Sequence, residues 1–149
     1  MIRIQEKPFD IGDELKALRG SNHAIGGTVV FAGSVRDLSD GQSVSAMTLE
    51  HYPGMTEKAL EDIEQEALRR WPLEASLIIH RVGRMEPGED IVLVITASPH
   101  REAAFAACHF LIDWLKTKAP FWKLEENAEG SAWVEAKPSD DEAASRWAR

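Results

Sequence analysis

Eight residues, Lys116-Thr117-Lys118-Ala119-Pro120-Phe121-Trp122-Lys123, gather three primary amines around a proline and two aromatic rings. A lysine beside another cation in a partly dry pocket has its pKa lowered, and its amine becomes usable as a nucleophile or base. A helix C-terminus acts the other way, because its dipole favours the ammonium. The residues alone do not rank these two effects, and a solvated helix end is the competing reading. Two further stretches suit an anion. Ser34-Val35-Arg36-Asp37 puts Arg36 at a strand end after glycines. Ser98-Pro99-His100-Arg101 puts His100 and Arg101 in the first turn of a helix, where free N–H groups attract anions. The arginine fork suits phosphate. The plain alternatives are that Arg36 pairs with Asp37 or Asp40 and that His100 merely packs.

The elements that must carry these side chains follow from periodicity. Ser98 as N-cap and Pro99 at the first helical position predict a helix that runs to about Thr117, where Pro120 blocks continuation. At 100° per residue, Glu102, His109, Asp113 and Lys116 form one polar stripe, while Ala104, Cys108, Leu111 and Leu115 face the other way. Pro120 then turns the chain, Phe121-Trp122 form an aromatic wall, and Lys123 can fold back beside Lys116. Upstream, the pattern predicts a strand at Ile2–Gln5 and a helix over Ile11–Arg19 ended by Gly20. A glycine-bearing strand follows over Gly26–Val35, then a polar loop with a turn at Asp40-Gly41, and an alternating strand over Val44–His51. Pro53-Gly54 opens a helix to about Arg70 whose Leu60, Ile63, Ala67 and Trp71 share a face, and Pro72 stops it. Ala75–His80 and Ile91–Ala97 are β-rich, with a turn over Glu86–Glu89. Ser139-Asp140-Asp141-Glu142 forms a capping box for a short helix toward Trp147. Strands and helices mix without strict alternation, which favours an α+β fold over a doubly wound sheet.

Bulk properties limit the function classes. A chain of 149 residues suits one domain spanning 1–149 and buries enough surface to fold without a disulfide or metal. The 17 Lys+Arg against 25 Asp+Glu give a net charge of −8, which offers no general attraction for nucleic acid or anionic lipid. An anionic ligand therefore needs a local basic cluster. Arg101 to Lys123 supplies one, with four basic and two acidic residues, whereas Glu125 to Arg149 has seven acidic and three basic. No apolar run approaches the ~20 residues of a membrane helix, and the N-terminal residues lack the apolar centre of a signal peptide. Those features and the single cysteine, Cys108, predict a cytoplasmic protein. Cys108 reads as a core residue. His51, His80 and His109 show no metal-ligand spacing, and neither a phosphate loop nor a dinucleotide fingerprint is present, so no metal and no cofactor is expected.

Five stretches together resemble one family, the large catalytic subunit of molybdopterin synthase. They are Val30-Phe31-Ala32-Gly33-Ser34-Val35-Arg36, Leu49-Glu50-His51-Tyr52-Pro53-Gly54-Met55, His80-Arg81-Val82-Gly83, Ser98-Pro99-His100-Arg101 and Lys116 through Lys123. Their order and spacing match over nearly the whole chain. The resemblance implies an α+β hammerhead fold with a mixed or antiparallel sheet. It also implies a central homodimer with a small ubiquitin-like sulfur-carrier subunit at each end, a heterotetramer. The carrier's C-terminal Gly-Gly tail, as a thiocarboxylate, would enter a pocket here and deliver two sulfurs to cyclic pyranopterin monophosphate, making molybdopterin for molybdenum cofactor biosynthesis. The sulfur would arrive on the partner, so no cysteine is needed.

By the same resemblance, Lys116 and Lys123 match the active-site lysines, Lys116 next to the thiocarboxylate and Lys123 near the substrate. Arg36, His100 and Arg101 match residues that hold the pterin phosphate, and Phe31 lines the pocket. Lys137 stands where the family usually has an arginine that reaches across the dimer; lysine keeps the charge and loses the bidentate fork. Lys118 replaces a common arginine, and Pro99 is a further variation. Two other readings remain open: a non-catalytic subunit whose basic pocket captures an acidic protein tail, and a phosphate-ester enzyme that uses the same lysines without a partner.

Overall fold

The computed structural model describes residues 1–39, 41–134 and 138–148. The elements in chain order are β1 (Ile2–Gln5), α1 (Ile11–Arg19), β2 (Gly27–Ser34), β3 (Leu38–Ser39), β4 (Gln42–Ser43), β5 (Ala46–His51) and α2 (Met55–Arg70). Then come β6 (Ala75–Arg81), β7 (Gly83–Met85), β8 (Asp90–Ser98), α3 (Arg101–Thr117), β9 (Phe121–Asn127), β10 (Gly130–Val134) and α4 (Pro138–Ser145). The fold is α+β, as the mixed element order predicts.

The strands form two four-stranded sheets and a small β3–β4 ribbon. The first sheet has the order β1-β6-β8-β2, with β1 parallel to β6 and the other pairs antiparallel. Its central strands are apolar at successive positions because both faces are covered. Ile78 and Val94 face α2 and α3, where they meet Leu60, Ile63, Ala67, Phe110 and Leu111. Leu77, Ile79, Leu93 and Ile95 face the other way and meet Ile11, Leu15 and Leu18 of α1. The second sheet, β10-β9-β5-β7, is antiparallel throughout. Val35, Met47, Leu49, Val82 and Met85 fill the seam between the sheets, with Phe121 packed against them.

Four local expectations need correction. Ser98 is not the N-cap of α3. It stays in the β8 ladder opposite Gly27, its hydroxyl donates to the Pro72 carbonyl, and the helix begins at Arg101 with His100 at the cap. The capping box at Ser139 is displaced too: α4 already starts at Pro138, so Ser139 lies inside its first turn. Asp113 belongs to the polar stripe but is buried, because Trp147 folds onto α3 and its indole N–H donates to the carboxylate at 2.6 Å. The segment after Pro120, for which the pattern predicts no strand, is the β9–β10 hairpin, paired through β9 to β5; Phe121 and Trp122 do line the cavity as the expected aromatic wall. Asp40 of the expected Asp40-Gly41 turn lies outside the described residues.

Candidate functional site

Lys116 occupies the last turn of α3, beyond the apolar face that Cys108, Leu111 and Leu115 bury. Pro120 prevents further helix, and the chain swings into β9. There the ladder to β5 sets Phe121 opposite His51 and Lys123 opposite Leu49. Alternation along β9 places Phe121, Lys123 and Glu125 on one side. All three line a cavity of about 550 Å³ that Lys116 also lines. The lysines separated by seven positions in the chain therefore meet in one cavity because a helix end and a strand start flank the same turn.

The opposite wall comes from the end of β2. A register shift between Gly33 and Ser34 interrupts its ladder with β8. Beyond it, the Val35 N–H donates to the Glu89 carbonyl and the Gly88 N–H donates to the Val35 carbonyl, so the Glu86–Glu89 turn holds the segment that carries Arg36. Arg36 lines the cavity, is exposed, and makes no ion pair among the described residues; the expected alternative of a bond to Asp37 does not form. Phe31 lines the cavity as well and is 36% exposed. Gly33 permits this arrangement. A Cβ there would lie 2.8 Å from Val92 Cγ1 and 3.4 Å from Phe31 Cε1, so a side chain would push the aromatic ring away.

His80 completes the site, although its spacing from the other histidines marks no role and the resemblance assigns it none. Its ring stacks on Phe121 with centroids 3.9 Å apart and planes 20° from parallel. Burial pushes its pKa down to about 4, and the charges of Lys116, Lys123 and His51 act in the same direction. The available signal was register: two positions along β6 from Ile78, His80 shares the face that α3 covers. Glu125 was also missed, because nothing in the chain marked its segment as a strand.

The fold does not bring His100 and Arg101 to this cavity within one chain. They start α3, so at 1.5 Å per residue Arg101 lies about 22 Å along the helix from Lys116. His100 instead lines a separate cavity of about 300 Å³ with Trp71, Pro72, Ser98, Pro99 and Glu102. Lys137 lies outside the described residues. Lys118, the third amine of the segment, points elsewhere, with its Nζ 5.7 Å from the centre of the Trp114 ring.

The arrangement is a concave site of ordinary ligand-binding size. It has an apolar and aromatic lining, two amines, one guanidinium, the His80 ring and the carboxylates of Glu125 and Asp140. Such a set can bind an anionic, planar ligand and donate protons or charge stabilisation to it. The family model described as MoaE protein matches residues 4–118. A Pseudomonas aeruginosa protein named molybdopterin synthase catalytic subunit is 59% identical over 146 residues, which is 98% of this chain and 97% of that protein. An Escherichia coli K12 protein of the same name is 51% identical, again over 98% and 97%. Among solved structures, the molybdopterin biosynthesis MoaE protein from Burkholderia ambifaria superposes with a TM-score of 0.85 at 53% identity, covering 100% of this chain and 98% of that one. Sequence match and fold agree, and the chain belongs to the MoaE family, whose curated relatives carry the name molybdopterin synthase catalytic subunit.

Proposed function

We propose that this chain is the catalytic subunit of a molybdopterin synthase. It moves sulfur from the C-terminal thiocarboxylate of a small carrier subunit to cyclic pyranopterin monophosphate. The observation that supports this most is the convergence of Lys116, Lys123 and Arg36 on one cavity in a chain of this family. Arg36 takes the phosphate through a charge-assisted bond. Lys116 sits beside the thiocarboxylate and Lys123 beside the pterin, where they stabilise developing negative charge and shuttle protons as carbon–sulfur bonds form. Phe31 and Phe121 supply aromatic surface to the pterin ring. The carrier provides the sulfur, which fits the buried state of Cys108, whose thiol pKa burial raises to about 11.

His100 and Arg101 join a phosphate site only if a second copy of the chain brings the start of its α3 to this cavity. We therefore infer a homodimer that supplies both sets, with one carrier per cavity. Exposed Trp133, at 57%, and Phe105, at 62%, provide apolar surface that such contacts would cover. We infer a cytoplasmic location from the sequence features given above; among the described residues no helix is long and apolar enough to cross a membrane.

The deciding experiment mixes the chain with thiocarboxylated carrier and cyclic pyranopterin monophosphate and assays molybdopterin. Product that requires both the chain and the carrier supports the proposal. Tight carrier binding without product would move the non-catalytic tail-binding reading ahead, and turnover of a phosphate ester without carrier would favour the partner-free enzyme.

A further inference from the structure

His80 has a defined protonation geometry inside the lysine cavity. Its Nδ1 lies 3.0 Å from the Arg81 carbonyl oxygen. A carbonyl only accepts, so Nδ1 carries the proton and donates it, which leaves a lone pair on Nε2. Phe121 stacks on the ring and holds its plane. The cross-strand neighbours of His80, Ile4 on β1 and Val92 on β8, are apolar. The titratable groups that act on it are Lys116 from α3, Lys123 from β9 and His51 from β5. Of these, Lys116 acts most strongly; its ammonium has no hydrogen bond or ion pair among the described residues, and the charged groups that line the cavity with it are Lys123 and Glu125 of β9, Arg36 after β2 and Asp140 of α4. His51 is engaged elsewhere, its Nδ1 lying 3.3 Å from Thr56 Oγ1.

We propose that His80 is a positioning residue for sulfur transfer: with its Nδ1–H held by the Arg81 carbonyl, it presents Nε2 as the acceptor that orients the Lys116 ammonium in the cavity. This role rests on the proposed function of that cavity. A lysine on a flexible four-carbon stem needs such a partner to point its remaining N–H bonds at one place. A neutral ring supplies the acceptor without neutralising the cation, as a carboxylate would. His80 and Lys116 are not hydrogen-bonded in this structure, and contacts of this kind are often long until the substrate tightens the site.

Glutamine and asparagine at position 80 separate the two ring nitrogens. His80→Gln puts an amide oxygen near the place of Nε2, whereas His80→Asn keeps only a donor near the place of Nδ1. In the assay with thiocarboxylated carrier and cyclic pyranopterin monophosphate, His80→Asn should lower kcat by about tenfold to a hundredfold, the scale of a misplaced catalytic group. KM for the pterin should stay within about twofold of the native value, and His80→Gln should recover most of the rate. The limb of the pH–rate profile that Lys116→Ala abolishes should move to lower pH in His80→Asn, since an acceptor favours the ammonium. Nitrogen-15 NMR of the native chain at pH 7 should show His80 protonated on Nδ1 alone, with a titration midpoint that rises in Lys116→Ala. A His80→Asn enzyme with native kcat and native pH profile overturns the role, as does a ring protonated on Nε2. If His80→Asn does not fold, the NMR readouts on the native chain and on Lys116→Ala decide. A fully active Lys116→Ala overturns the assignment of the cavity itself, and is thereby distinguished from a failure of His80 alone.

Discussion

Lys116 and Lys123 differ in what holds them, and this shapes what their replacement should do. Lys116 projects from a helix end into the cavity, while Lys123 sits in a β ladder opposite Leu49. Lys116→Ala and Lys123→Ala should each reduce molybdopterin formation by roughly a hundredfold or more, the scale of a general acid–base group. Both should fold, because neither lysine fills the apolar core; circular dichroism checks this. Lys118→Ala is the internal control and should act mildly, since its amine lies over Trp114. Arginine at 116 or 123 keeps the cation but does not readily give up a proton, so it should fail wherever proton transfer is required. Arg36→Ala should weaken pterin binding by about 1.5–3 kcal/mol, the worth of a charged hydrogen bond. Calorimetry should find carrier affinity unchanged; loss of carrier affinity with intact pterin binding would remove Arg36 from the phosphate site.

At the scale of elements, the entry to β2 depends on how closely the chain at Gly26 approaches the β8–α3 connection. A Cβ on Gly26 would stand 2.0 Å from the Pro99 carbonyl oxygen, and the Gly26 N–H donates to the Ser98 carbonyl in the same contact. The clash is with backbone, which has little room to move. Gly26→Ala should therefore lower stability by roughly 2–3 kcal/mol, at the upper end of ordinary single substitutions. Gly12→Ala is the opposite case. Gly12 lies in α1 with Asp10 Oδ1 at 3.4 Å as the nearest contact, and alanine there should be neutral or stabilising by a few tenths of a kcal/mol to about 1 kcal/mol. Urea midpoints of the two variants should move in different directions.

At the scale of the molecule, His80 ties activity-site geometry to global stability. Its folded pKa of about 4 lies below the ordinary 6.5, so the folded state resists protonation. That stability is present above pH 6.5 and is lost as pH falls through the window toward 4. The loss amounts to about 3 kcal/mol for this group. His80→Phe should preserve the stack on Phe121 and flatten the decline in urea midpoint between pH 7 and 4.5; an unchanged decline would assign it to other groups. The assembly is testable at the same scale. One chain brings Lys116, Lys123, Arg36 and Phe31 together but leaves His100 and Arg101 at the far end of α3. Light scattering at micromolar concentration should give the mass of a dimer, and a monomer would leave the second pair of residues without a route to the cavity.

The amino-acid sequence by itself determined the helices and the strands of the first sheet. Apolar spacing, Gly20 and Pro120 placed α1 at Ile11–Arg19 and ended α3 at Thr117, because helix periodicity and chain breakers are local properties. The resemblance in the Lys116–Lys123 segment pointed to the lysines that share the cavity. Tertiary structure alone decided the rest. Phe121–Asn127 carries charged residues on both sides and becomes a strand because β5 offers it a partner. Asp113 is buried because Trp147, thirty-four positions away, supplies a donor. His80 enters the cavity because α3 ends above its sheet face, and His100 and Arg101 stay outside it because a helix of seventeen residues is rigid and long. Periodicity states which face a residue takes; only packing between distant elements states what that face meets.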